Sequence, residues 1–132
     1  MAEQDEVRLT VPATPEFLRL ARVTATGLAS RLGFTYDEVE DLRLAIDELC
    51  FTLIGTRGRP GLLKLRYVLV GGALDVEGIG HFDDDHEGLD PRVSDLSRQI
   101  LSALVEDHEV RRNPDGLLCF RLRKRHLVSG AR

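Results

Sequence analysis

The sequence predicts a two-layer α+β sandwich: a mixed or antiparallel sheet of about five strands with three helices on one face. Two observations carry this prediction. The apolar periodicity changes along the chain in the order β-α-α-β-β-α-β-β, and consecutive strands are joined by short glycine-containing turns, which pair them antiparallel. At 132 residues, the chain is long enough for one core and no more. Hydrophobic residues at 42% and charged residues at 30% place it among globular chains rather than disordered ones.

The elements follow in order. Val7, Leu9 and Val11 alternate with polar residues, so residues 7–11 form a half-buried strand that Pro12 ends. Thr14-Pro15-Glu16 opens a helix, with a capping hydroxyl, proline at the first position and an acid in the first turn. Its stripe is Phe17, Leu18, Ala21, Ala25, Leu28 and Leu32, and Gly33 stops it. Thr35-Tyr36-Asp37-Glu38 is a capping box for a second helix, which runs to about Ile54 and stops at Gly55. Residues 56–61 form a loop, and Leu62 to Val70 a strand. Gly71-Gly72 turns the chain into a partner strand, Ala73 to Glu77. A loop rich in Gly and Asp fills residues 78–92. Ser94 caps a third helix that reaches about Glu106. Residues 108–112 and 117–124 form the last hairpin around Asn113-Pro114-Asp115-Gly116. The expected organisation is a disordered N-terminus over residues 1–6, one domain over 7–125 and a frayed tail over 126–132.

Composition narrows the function classes. The N-terminus is acidic and lacks the apolar stretch of a signal peptide, and no apolar run approaches the roughly 20 residues of a membrane span. A cytoplasmic protein without membrane contact is the expectation. The net charge of −4 argues against a duplex-binding domain, because phosphate neutralisation supplies much of the affinity of such domains. Cys50 and Cys119 stand in apolar surroundings without metal-ligand spacing, so both are expected to be buried thiols.

The second helix carries the most information. At 100° per residue, Val39, Leu42, Ile46, Leu49, Cys50 and Leu53 share one face, which packs on the core. Asp41, Leu44, Glu48, Phe51 and Thr52 lie on the other. Apolar residues around a carboxylate mean either that something covers this face (a loop, a ligand or a partner) or that the helix is buried on both sides with Glu48 bonded locally.

The run Asp41-Leu42-Arg43-Leu44-Ala45-Ile46-Asp47-Glu48-Leu49-Cys50 resembles the N-box helix of the anti-sigma-factor serine kinases, within the histidine-kinase-like, Hsp90-like (GHKL) ATPase superfamily. The resemblance extends from about Val7 to Arg125 and implies a Bergerat-like ATPase fold. It implies ATP and Mg²⁺ as cofactors, and it implies a sigma factor and an anti-anti-sigma antagonist as partners, with homodimers frequent in the family. By motif position Glu48 is the general base that takes a client serine's proton. Thr52 stands where the family's Mg²⁺-holding asparagine would be. Val76-Glu77-Gly78-Ile79-Gly80 occupies the D-x-G-x-G box: Gly78 and Gly80 match, but Val76 replaces the aspartate that accepts the adenine amino group. An unpaired buried amine costs roughly 1–3 kcal/mol. Asp75 and Glu77 point to the opposite strand face. The phosphate box, Gly-x-Gly at a helix N-terminus, reads Ser94-Asp95-Leu96-Ser97 here, without glycine and with a repelling acid. Three of four nucleotide contacts are thus altered. The resemblance implies an anti-sigma-factor-like regulator with a degenerate ATP site. An active serine kinase and a binding module without a sigma partner are the alternatives.

Three further groups read more simply. Asp83-Asp84-Asp85-His86-Glu87 is an acidic, solvated loop at the family's nucleotide lid. Arg111, Arg112, Arg121, Arg123, Lys124, Arg125 and His126 form a basic strip on the last hairpin, best read as an outer sheet face. The four histidines, His81, His86, His108 and His126, lack ligand spacing.

Overall fold

A computed structural model describes residues 5–84 and 93–127. Five strands, β1 (Asp5–Pro12), β2 (Gly61–Val70), β3 (Ala73–Phe82), β4 (Asp107–Arg112) and β5 (Leu118–Arg125), form one sheet in the order β1-β2-β3-β5-β4. Every pairing is antiparallel. The helices are α1 (Leu18–Arg31), α2 (Tyr36–Ile54) and α3 (Asp95–Leu104). The α+β sandwich and its element order are those the sequence predicts.

Local chemistry explains most boundaries. The Thr35 hydroxyl accepts from the Glu38 N–H at 3.1 Å and the Glu38 carboxylate accepts from the Thr35 N–H at 2.7 Å, the reciprocal pair of the capping box. Gly55 leaves α2 at a φ of 74°, a conformation that favours glycine. Ser94 accepts from the Ser97 N–H at 3.0 Å and starts α3.

Four expectations need correction. The second residue stretch after the Gly71-Gly72 turn does not end at Glu77: β3 continues to Phe82, so Gly78 and Gly80 are strand residues. Pairing with β2 out to Gly61↔Phe82 holds them extended. Thr14 does not cap with its side chain. A 3-10 turn over Pro15–Phe17 precedes α1, and the buried Thr14 hydroxyl has no hydrogen-bond partner among the described residues. Asp5 and Glu6, expected to be disordered, belong to β1 opposite Leu69 and Val68. His126 and Leu127, expected to fray, are bonded to Glu38. Residues 1–4 and 128–132 of the two expected tails, and residues 85–92, lie outside the described residues.

The core lies between the helices and one sheet face. Ala21, Ala25 and Ala29 are fully buried on α1, and small side chains at this spacing let α1 and α2 approach closely. Leu42, Ile46, Leu49, Cys50 and Leu53 of α2 face the same core, with Val39 partly buried beside them. Both cysteines are free and buried, and burial pushes each thiol up. The Tyr67 hydroxyl donates to the Ala21 carbonyl at 3.0 Å, tying β2 to α1. Tyr67→Phe should therefore lower stability by about 1 kcal/mol, read as a shift in the urea midpoint at unchanged slope. An unshifted midpoint would mean that this bond adds nothing.

Candidate functional site

Three elements converge on the candidate site. The middle of α2 supplies Glu48 and Thr52, the helix-facing side of β3 supplies Val76, Gly78 and Gly80, and the start of α3 supplies residues 94–97. Alternation along β3 sends Leu74, Val76, Gly78, Gly80 and Phe82 to the buried side, and Asp75, Glu77, Ile79 and His81 to the other. Asp75 and Glu77 therefore face away from the helices, as the pleat requires. Asp75 accepts two bonds from Arg123, at 2.6 and 2.7 Å.

Val76 is fully buried, opposite Tyr67 on β2 and Leu122 on β5. Gly78 is opposite Phe120. A Cβ at Gly78 would collide with the Phe120 ring, and one at Gly80 would collide with the Phe82 ring. Phe120 is 1% exposed and Phe82 8%. The two glycines are bare so that these rings can lie against the strand.

Glu48 is half-buried, and its carboxylate accepts a hydrogen bond from the Ser97 hydroxyl. Neither of the two sequence-derived possibilities for this helix face is complete. Glu48 is bonded to α3 and not locally, and Leu44 and Phe51 remain 45% and 37% exposed. Asp41, further along the same face, lies 3.6 Å from the Lys124 ammonium. Lys124 is only 6% exposed and donates to the Leu104 carbonyl at 2.7 Å, at the C-terminal end of α3, where a cation suits the helix dipole. Lys124 thus leaves the basic strip and joins α3, α2 and β5. The Thr52 hydroxyl donates to the Glu48 carbonyl at 2.8 Å, so its proton is committed to the helix backbone.

Arg59, which the sequence leaves in a loop, closes the end of this layer. Its guanidinium lies 4.1 Å from the centre of the Phe82 ring. It donates to the Leu53 carbonyl at 3.3 Å and to Asp84 at 3.0 Å. Of the acidic loop, Asp83 and Asp84 are exposed, while Asp85, His86 and Glu87 lie outside the described residues. Among the described residues, no three or more His, Cys, Asp or Glu side chains gather as a metal nest.

The outer sheet face carries a cross-strand charge lattice. Arg66 reaches Glu6 at 3.2 Å and Glu77 at 3.3 Å, and Arg121 reaches Asp107 at 3.0 Å and Glu109 at 3.5 Å. Arg111 lies 3.6 Å from Glu109. Arg111 and Arg121 of the strip, like Arg66 on β2, are thus paired with carboxylates of the sheet. His126 leaves the strip as well: its ring stacks on Phe34 and its Nδ1 lies 2.8 Å from Glu38.

Sequence reasoning placed Ser97 in the phosphate-box stretch but missed its bond to Glu48, and it missed Arg59 and Phe120 as parts of this region. Ser97 carried a signal only as a side chain where bare backbone was expected. Arg59 and Phe120 carried none, because their partners are distant in sequence. No helix among the described residues is long and apolar enough to cross a membrane.

Comparison with known proteins agrees with the arrangement. No family profile matches the chain. It is 27% identical to a serine-protein kinase RsbW of Bacillus pumilus, over 83% of this chain and 80% of that protein. The RsbW of Bacillus subtilis is 50% identical over 46 residues, which is 35% of this chain and 29% of that protein. The RsbW of Halalkalibacterium halodurans is 40% identical over 52 residues, covering 39% of this chain and 32% of that protein. The last two matches thus span about a third of each relative.

Proposed function

Because the chain belongs to the anti-sigma-factor serine kinase family of the histidine-kinase-like ATPase superfamily, we propose that it is an anti-sigma-factor-like regulator with a degenerate nucleotide site. It holds a sigma factor, exchanges it for an anti-anti-sigma antagonist, and uses the fold as a protein-binding platform. It acts in the cytoplasm, as a homodimer, without direct nucleic-acid or membrane contact. The balanced arginines of the outer sheet support the absence of a nucleic-acid role.

The observation that carries the degenerate reading is the aromatic filling of β3. In the resembled site the two glycines leave a bare strand for the nucleotide, whereas here the rings of Phe120 and Phe82 lie against Gly78 and Gly80. Buried Val76 offers no acceptor for an adenine amine. Side chains stand where the phosphate box needs bare N–H groups, with Asp95 in the first turn of α3. A single hydroxyl at Thr52, already donating to the backbone, is a poor substitute for an amide oxygen on Mg²⁺. ATP and Mg²⁺ therefore do not fit the residues present, and no phosphoryl-transfer step is assigned to this chain.

Calorimetric titration with Mg-ATP tests the reading. The expected result is no saturable binding below about 1 mM, following from the loss of several contacts each worth tenfold or more. A micromolar dissociation constant, or labelled phosphate appearing on a co-purified antagonist, would overturn it in favour of an active kinase. Retention of neither a sigma factor nor an antagonist on the immobilised protein would favour a binding module of another kind.

A further inference from the structure

The Ser97–Glu48 bond joins the first turn of α3 to the Glu48 carboxylate of α2. It links residues 49 positions apart, so it depends on tertiary packing. Both side chains are half-buried. Ser97 is held in place twice: its N–H is bound by the Ser94 hydroxyl at 3.0 Å, and its own hydroxyl donates to Glu48. The far end of α3 is fixed to the same helix layer by Lys124, which bridges the Leu104 carbonyl and Asp41. The helix is thus pinned along α2 at both ends. A carboxylate that accepts from one serine hydroxyl in this geometry has less of its lone-pair surface open to a second.

We propose that Ser97 is a built-in occupant of Glu48, an autoinhibitory contact in which the chain's own hydroxyl takes the acceptor position open to a serine of a protein client. The contact also closes the first turn of α3 onto α2. This rests on the family position of Glu48 and deepens the proposed function, since it removes the base as well as the nucleotide grip. Leu44 and Phe51, exposed on the same face, can then receive a client without presenting its hydroxyl to a free carboxylate.

The test uses the full chain in three forms: unaltered, Ser97→Ala and Ser97→Gly. Carboxylates are labelled with a carbodiimide and an amine, and the rate at Glu48 is read by peptide mapping against exposed Glu16 as reference. Amide exchange of residues 95–100 is measured in parallel. In both variants, Glu48 labelling should accelerate about fivefold or more, and exchange in the first turn of α3 about tenfold, the scale of a lost charge-assisted hydrogen bond. Ser97→Ala retains the Cβ and good helix propensity, so it reports on the hydroxyl where Ser97→Gly loosens the turn by itself. Unchanged labelling or unchanged exchange in Ser97→Ala overturns the occupant. Neither readout involves nucleotide, so micromolar Mg-ATP binding would sink the degenerate-site reading without deciding this one.

Discussion

Replacing Phe120 with alanine is expected to destabilise the protein by about 3–5 kcal/mol, the usual cost of emptying a fully buried aromatic site. Phe120 is 1% exposed on β5, and its ring covers Gly78 on the paired strand. The residue beneath the ring is a glycine, so β3 itself supplies no side chain at that point of the gap. The complementary change, Gly78→Ala, should cost about 1–3 kcal/mol, because the new methyl collides with the buried Phe120 ring, which must shift within the core. The double variant separates this from two unrelated losses. With the ring gone, the alanine methyl enters vacated space, so the combined loss should fall short of the sum by about 1 kcal/mol or more. Urea melts of the four proteins measure the cycle. Strict additivity would mean that the ring and the glycine are not mutually fitted, and the filled-strand argument against nucleotide binding would lose its main support.

The glycines also show where the sequence was readable and where it was not. Signals confined to a few adjacent residues translated directly into structure: the Thr35–Glu38 capping box, the Gly55 stop, the Ser94 cap and the Gly71-Gly72 turn. The helical stripe of α2 did so too, since Leu42, Ile46, Leu49 and Cys50 are all fully buried. What failed depended on partners far along the chain. Gly78-Ile79-Gly80 reads locally as a strand end, because glycine weakens a strand, yet β2 along all three residues and β5 along Gly78 and Ile79 keep it extended. Thr14 has the extended backbone of a cap, but the tight Pro15–Phe17 turn leaves its hydroxyl without an N–H to accept from. For the candidate site, the positions of Glu48 and Thr52 on α2 followed from the helical period, and the outward direction of Asp75 and Glu77 from the pleat. The Ser97–Glu48 bond, the Lys124 bridge and the Arg59 closure did not follow, because no periodicity encodes which surface residues two packed helices bring together.

Glu38 illustrates the same limit and yields the second large effect. As a capping-box residue, it would be expected to contribute through the Thr35 N–H alone. In the structure its carboxylate also accepts from the Leu127 N–H at 2.7 Å and lies 2.8 Å from His126 Nδ1. Burial by itself pushes this carboxyl up, but the bonds from Leu127, Thr35 and His126 outweigh it and hold the group down at about 2, against an ordinary 4.5. A carboxyl whose pKa falls on folding stabilises the folded state above its unfolded value, and that stability is lost as pH drops through the folded value. A displacement from 4.5 to about 2 corresponds to on the order of 3 kcal/mol at neutral pH, at about 1.4 kcal/mol for each tenfold in proton affinity. Glu38→Gln, which keeps the shape and removes the charge, should therefore cost about 3 kcal/mol at pH 7. The gap between the two proteins should narrow steadily as pH falls from about 5 towards 2, because over that range the unfolded form of the unaltered protein takes up a proton at this group while the folded form resists it, and the variant has no such group. Other carboxylates titrate in both proteins and cancel in the difference. A gap that stays constant down to pH 2 would show that the Glu38 charge contributes nothing and that the tail residues His126 and Leu127 are held by contacts other than this carboxylate.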